Sequence, residues 1–296
     1  MNAALKQLGY AADDRVVIIH ADDIGMCQAT LPAMADLLDF GLLSSAATMV
    51  PCAWFPQTAA FCRDHPTVDM GVHLTVNCEW EAYRWGPIST RDPASGMLDE
   101  QGYFHGWPPA VVEHAEPVAV AAELRAQVAK AQQFGLDITH VDGHMGTVMR
   151  PPFIRSYVDV ALENQLPLLL PSRNGADRLR AHGINLGEPG SEGDRLWHEL
   201  EERGLPFFDH VAMLPLDDPT DQVAVAKKVM DGLQPGLTML ILHPAQDTPE
   251  LRAIAPDWRS RVANYATCMS SELRDHVRQS GVQVIGYRPL RELLRA

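Results

Sequence analysis

Eight short apolar runs recur along the chain: "RVVIIH" (15–20), "SSAATMV" (44–50), "DMGVHLTV" (69–76), "DITHVDGH" (137–144), "LPLLLP" (166–171), "FFDHVAM" (207–213), "LTMLILH" (237–243) and "VQVIGY" (282–287). Runs of this kind read as strands covered on both faces, as in a parallel sheet. Between them lie segments with helical spacing, at 117–135, 151–165, 218–233 and 257–281. The first of these opens on Pro117, a good first-turn residue, and stops at Gly135, a good C-terminal cap. Strand alternating with helix over 296 residues predicts an α/β protein. The expected form is a single-domain, distorted or incomplete (β/α) barrel, spanning 1–296, with about seven to eight mostly parallel strands. An open doubly wound sheet is the alternative. No GxGxxG follows the first run and no GxxxxGK[ST] occurs, so nucleotide-binding versions lose support.

One interval breaks the rhythm. Residues 77–116 follow the third run without an obvious regular element, yet carry Trp80, Tyr83, Trp85, Tyr103, Phe104 and Trp107. So many aromatics argue against disorder. The insertion reads as a cluster sealing the barrel rim, as a lid or wall that stacks on a substrate's apolar face, as a sugar ring would offer, or as both, with Trp80 and Trp85 as candidate contacts.

Composition narrows the partners. The chain is 46% hydrophobic and 21% charged, with a formal net charge of −14. Such a field repels nucleic acid and anionic membrane surfaces. The five scattered cysteines include no CxxC pair and read as reduced thiols of a cytoplasmic protein. The N-terminus resembles neither a signal peptide nor a membrane span. Homo-oligomerisation is compatible with a barrel of this size, and no sequence feature fixes it.

Chemistry concentrates at the ends of the apolar runs. The stretch "THVDGHMG" (139–146) sets His140, Asp142 and His144 at every second position, which on a strand puts all three on one face. The first run ends in "HADDIG" with Asp22 and Asp23, the third in "GVHLT" with His73, and the seventh in "LILHP" with His243. Catalytic groups of a β/α barrel gather at these carboxyl ends. Two imidazoles and one carboxylate, with positions left for water and substrate, make a workable catalytic metal site. Asp22 and Asp23 face oppositely on a regular strand; at a strand-to-loop turn one ligates while the other stands beside the bound water. Taken alone, the pair reads first as a helix N-cap.

Together "HADDIG", "GVHLT", "HVDGH" and the late "LHP" resemble, in order and spacing, the YdjC-like carbohydrate deacetylases, over about residues 15–290. The resemblance implies a distorted β/α barrel and metal-dependent removal of an N-acetyl group. It implies Asp23, His73 and His144 as ligands of one divalent ion, Asp22 as general base and His243 as general acid. His140 and Asp142 would then orient the site or face the substrate. The chain departs from the pattern at His20, where relatives usually have Asn, at Ile24, where they often have Phe, and in "MGTV" after His144. Those departures flank the ligands and bear on the substrate.

The residues fit the chemistry without the family. An amide resists hydrolysis, and a metal both polarises its carbonyl and lowers the pKa of bound water from 15.7 toward ~7. Asp22 would take the attacking water's proton, and His243 would protonate the departing nitrogen. No GxSxG elbow offers a serine nucleophile. A nitrogen-rich ligand set favours Zn²⁺ over Mg²⁺, although the family is often described with magnesium. Arg173 in "LPSRN" and Asp209 in "FFDHVA" are further candidates for the pocket. The substrate expected is a small N-acetylated sugar or oligosaccharide. The alternatives are a barrel enzyme acting on another amide or isomerising a sugar, and a non-catalytic sugar- or metal-binding protein. The latter would lack the base or the acid, and both are present.

Overall fold

In the computed structural model, which describes residues 2–172 and 192–296, seven parallel strands form one sheet. They are β1 (Arg15–Ile24), β2 (Ser45–Thr48), β3 (Met70–Leu74), β4 (Ile138–Gly143), β5 (His210–Met213), β6 (Gly236–Leu242) and β7 (Gln283–Val284). The order is β4-β3-β2-β1-β6-β5, with β7 also paired to β1. All but the first residue of β1 are buried, as a strand covered on both faces requires. One edge of β1 serves two partners: Val16 and Val17 pair with β7, whereas His20 and Ala21 pair with Ser45 and Ala46 of β2. This forking distorts the barrel.

The sheet is not closed by ladders. The apolar run at 166–171 is no strand; it makes only isolated bridges, Leu168 to Val141 and Pro171 to Phe208, across the gap between β4 and β5. Pro167 and Pro171 within it have no N–H to donate, so a continuous ladder cannot form there.

Helices return the chain between strands. Pro117–Gln133 matches its expected span, followed by Gly135 at φ +79°. The segment expected as one helix over 257–281 is two, Trp258–Cys268 and Ser271–Gln279. The break falls where the Ser270 side chain accepts a hydrogen bond from the Leu273 N–H, an N-cap that starts the second helix afresh. The 77–116 interval also contains a helix, Pro108–His114, with proline in its first turn. That interval is latched to the barrel by buried side chains of helix Pro117–Gln133. Glu123 accepts from the N–H groups of Ile88 and Ser89, and Gln127 bonds both backbone groups of Thr75 beyond β3. Among the described residues no helix is long and apolar enough to cross a membrane.

Candidate active site

The carboxyl end of β1 is irregular. Its pairing with β2 shifts register between Ala21 and Ile24, and Asp23 adopts φ +62°. This left-handed kink turns Asp23 out of strand alternation, so that both neighbouring carboxylates reach the same cluster. Just after His144, Met145 is also left-handed, at φ +52°. Such conformations cost roughly 1–3 kcal/mol each and persist where the surroundings over-determine them, as at functional sites.

Three donor atoms converge there. Asp23 Oδ1 lies 3.1 Å from His144 Nδ1 and 3.4 Å from His73 Nε2, and the two imidazole nitrogens are 3.4 Å apart. A tetrahedral ion with bonds of about 2.1 Å holds its donors about 3.4 Å apart, so the triangle fits a divalent metal. Hydrogen bonding on the far side of each ring supports that fit. His73 Nδ1 is 2.8 Å from Asp142 Oδ1, beside it in register across β3 and β4, and His144 Nε2 is 2.9 Å from Glu79 Oε2. Each carboxylate takes an N–H and leaves the other nitrogen's lone pair facing the triangle. Asp23 Oδ1 is buried and makes no hydrogen bond.

The electrostatics agree. Burial alone would lower the imidazole of His144, yet Glu79 and Asp23 push it up to about 9. His73 is likewise raised against burial by Asp142 and Asp22. Burial would raise Asp23, but the Arg261 guanidinium, 2.7 Å from its Oδ2, and His144 hold it well below the ordinary carboxylate range. Four carboxylates, Asp22, Asp23, Asp142 and Glu79, gather around these rings, and a divalent ion binding the triangle would displace the protons they hold on His73 and His144.

Asp22 and His243 stand beside the triangle, with Asp22 Oδ2 3.8 Å from His243 Nε2 and 4.0 Å from His73 Nε2. At 8% and 9% exposure they are more accessible than the three donors, at 1–3%. Burial, opposed by Asp23 and Asp22, lowers the pKa of His243. Deeper in, His20 Nε2 lies 3.0 Å from both Asp22 Oδ1 and Asp142 Oδ2, in line with neither, while its Nδ1 meets the Ser45 hydroxyl. His140 is fully buried, its ring stacked 3.7 Å from Tyr287. A Cβ on Gly71 would fall 2.4 Å from its Nε2, so only glycine fits beneath it.

Asp22, Asp23, His73, His140, Asp142, His144 and His243 are thus brought together as the strand ends predict. Trp80 and Trp85 lie close by but are only 4% exposed, packed against Arg261 and His144 respectively. Asp209 is a correction. It precedes β5 instead of ending it, at the opposite end of the sheet, where its Oδ2 accepts from Asn2 Nδ2 and the Leu237 N–H at 2.8 Å each. Arg173 lies outside the described residues. Sequence reasoning missed Glu79 and Arg261, which arrive from a loop and a distant helix; "DWRSR" and "NCEW" carry no spacing signal that marks them.

Fold and site together define a class: a parallel α/β barrel with an Asp-His-His donor set at its carboxyl end, flanked by a second aspartate and a third histidine. Residues 16–279 match the family model described as YdjC-like protein, and the chain belongs to that family. A carbohydrate deacetylase of Thermus thermophilus is 31% identical over 271 residues, covering 91% of this chain and 92% of that one. A chitooligosaccharide deacetylase of Yersinia enterocolitica is 29% identical over 162 residues, 52% of this chain and 59% of that one. A crystal structure from Enterococcus faecalis, provisionally described as a cellobiose-phosphate cleavage protein, shares the fold with a TM-score of 0.76 at 21% identity, covering 94% of this chain and 99% of that one.

Proposed function

We propose that the protein is a metal-dependent hydrolase that removes the N-acetyl group of an amino sugar or small oligosaccharide. One observation carries the reading: the Asp23–His73–His144 donor triangle has a carboxylate and an imidazole, Asp22 and His243, 3.8 Å apart beside it. The names of the deacetylase relatives support the same class of substrate. A divalent ion bound by the triangle, Zn²⁺ ahead of Mg²⁺ for so nitrogen-rich a set, supplies Lewis-acid polarisation of the amide carbonyl and acidifies water.

The side chains do the rest. Asp22 accepts a proton from the water whose oxygen bonds to the acetyl carbon. As the C–N bond breaks, the electron pair goes to nitrogen and His243 Nε2 delivers a proton to it, releasing acetate and the free amine. Asp22, 3.8 Å from His243 Nε2, is near enough to hand on the proton that His243 delivers. His20, Asp142 and Glu79 hold these groups in place. The five cysteines are buried and unpaired, which fits a reducing compartment such as the cytoplasm.

The test is acetate release from N-acetylglucosamine derivatives and chitooligosaccharides, with metal content measured on the same sample and Asp22→Asn as control. One metal per chain and acetate release that falls roughly a hundredfold or more in the variant are expected. Bound metal without acetate from any sugar moves the substrate to other amides. No activity after adding Zn²⁺, Mg²⁺, Mn²⁺ or Co²⁺, with no metal bound, overturns the reading.

A further inference from the structure

The insertion at 77–116 grips the donor triangle from outside the barrel. Its Glu79 accepts from His144 Nε2 at 2.9 Å, and the Trp85 ring stands edge-on to the same imidazole, centroids 6.2 Å apart. Trp80 lies under the Arg261 guanidinium at 5.3 Å, and Arg261 in turn holds Asp23 at 2.7 Å. The grip is itself anchored. Trp85 Nε1 donates to the Asn77 carbonyl at 2.8 Å, and Asn77 Oδ1 accepts from Thr147, three residues past His144. His144 is therefore steadied directly by the insertion, Asp23 through Arg261, which Trp80 and Asp257 both hold, and His73 by a strand residue, Asp142. At 4% exposure Trp80 and Trp85 show almost no ring face to solvent, so their surface is spent on this packing and not on a sugar.

We propose that the insertion is a scaffold of the metal centre, with Glu79 as its positioning residue: the carboxylate fixes which nitrogen of His144 faces the metal. The inference rests on the metal-dependent reading above. Its consequence is that metal affinity is set in part by a loop outside the barrel strands, so that changes in the insertion alter metal loading.

Co²⁺ titration tests it, followed by visible absorption and calorimetry on the full chain, for the wild type, Glu79→Gln, Glu79→Ala and Glu79→Leu. Glu79→Ala should bind Co²⁺ about 10–100-fold more weakly, the usual cost of losing a partner behind a ligating histidine. Glu79→Gln, nearly isosteric and still able to accept through its amide oxygen, should recover most of that affinity. Glu79→Leu, similar in size with no acceptor, should bind as weakly as the alanine variant and replaces it in the comparison if the alanine variant misfolds. A folded Glu79→Leu within threefold of wild type overturns the role. A Co²⁺ affinity within threefold of wild type in a folded Glu79→Ala, or in Glu79→Gln and Glu79→Ala alike, overturns the scaffold role while leaving the metal site standing. A wild-type chain that binds no Co²⁺ overturns the metal reading itself.

Discussion

Both ends of the sheet carry aspartates, and they are treated oppositely. At the amino end, Asp69, Asp137 and Asp209 each immediately precede a strand. Asp69 accepts from the Thr139 and Ser45 hydroxyls and the Arg288 N–H. Asp137 is paired with Arg288 and Arg291, and Asp209 with Asn2 and the Leu237 N–H. At the carboxyl end, Asp22 Oδ1, Asp23 Oδ1 and Asp142 Oδ2 are buried without a hydrogen bond, as are His20 Nε2, His140 Nε2 and His243 Nδ1. Leaving a buried polar atom unmatched costs about 1–3 kcal/mol. The chain meets its polar needs where carboxylates join strands to the fold, and leaves them open at the cluster where, on the proposed reading, a cation, a water and an amide would bind. Among the described residues, unmatched carboxylate oxygens, more than aspartates as such, separate the two ends.

The largest expected effect tests the working end. His243→Asn removes the imidazole beside Asp22 but touches no strand pairing. Acetate release should fall roughly 10²–10⁴-fold, with the unfolding midpoint nearly unchanged, read by activity and thermal denaturation in parallel. If stability drops while the remaining folded protein keeps its turnover, His243 belongs to the structural class and the contrast between the ends fails.

His20 sits where the two classes meet, tied to Ser45 on one side and to two open carboxylates on the other. Burial would lower its pKa, but Asp142 and Asp22 raise it to about 9 from 6.5. A folded-state value above the unfolded one stabilises the protein most below about pH 6.5, and that contribution is lost as pH rises through about 9. For metal-free protein in urea, the advantage of wild type over His20→Asn should be on the order of 3 kcal/mol at pH 6 and should shrink toward pH 10. A gap independent of pH would mean that His20 acts by packing alone.

How much of this was legible in the sequence follows from the same division. β1, β3, β4 and β6 are continuous apolar runs with chemistry at their carboxyl ends, so both the barrel and most of the site could be read locally. The run at 166–171 misled because its prolines cannot sustain a ladder, whatever its hydrophobicity. Asp209 misled because an aspartate beside an apolar run does not tell which end of the strand it occupies. Glu79 and Arg261 were hidden for a different reason. Glu79 meets His144 across 65 positions and Arg261 meets Asp23 across 238, and neither follows a strand or helix period. Partners that arrive from elsewhere in the chain are fixed by packing, which a single sequence does not display.

The smallest expected effect tests the structural end. Asp209 ties the first helix to the sheet: its Oδ2 accepts from Asn2, whose own side chain caps helix Ala3–Gln7, and from the Leu237 N–H of β6. Gly236 stands against it at φ +117°, where a Cβ would fall 2.5 Å from that oxygen. Asp209→Ala should therefore cost about 1–3 kcal/mol of unfolding free energy, through the unmatched Leu237 N–H and a loosened cap. Acetate release per folded molecule and metal affinity should stay at wild-type values, since no donor or proton-transfer group is touched. The comparison sharpens if Asp209→Asn, which keeps an acceptor oxygen, loses less than the alanine variant. A fall in turnover without a fall in stability would show that the amino end of the sheet reaches the reaction, and that satisfied carboxylates are no guide to structural duty in this fold.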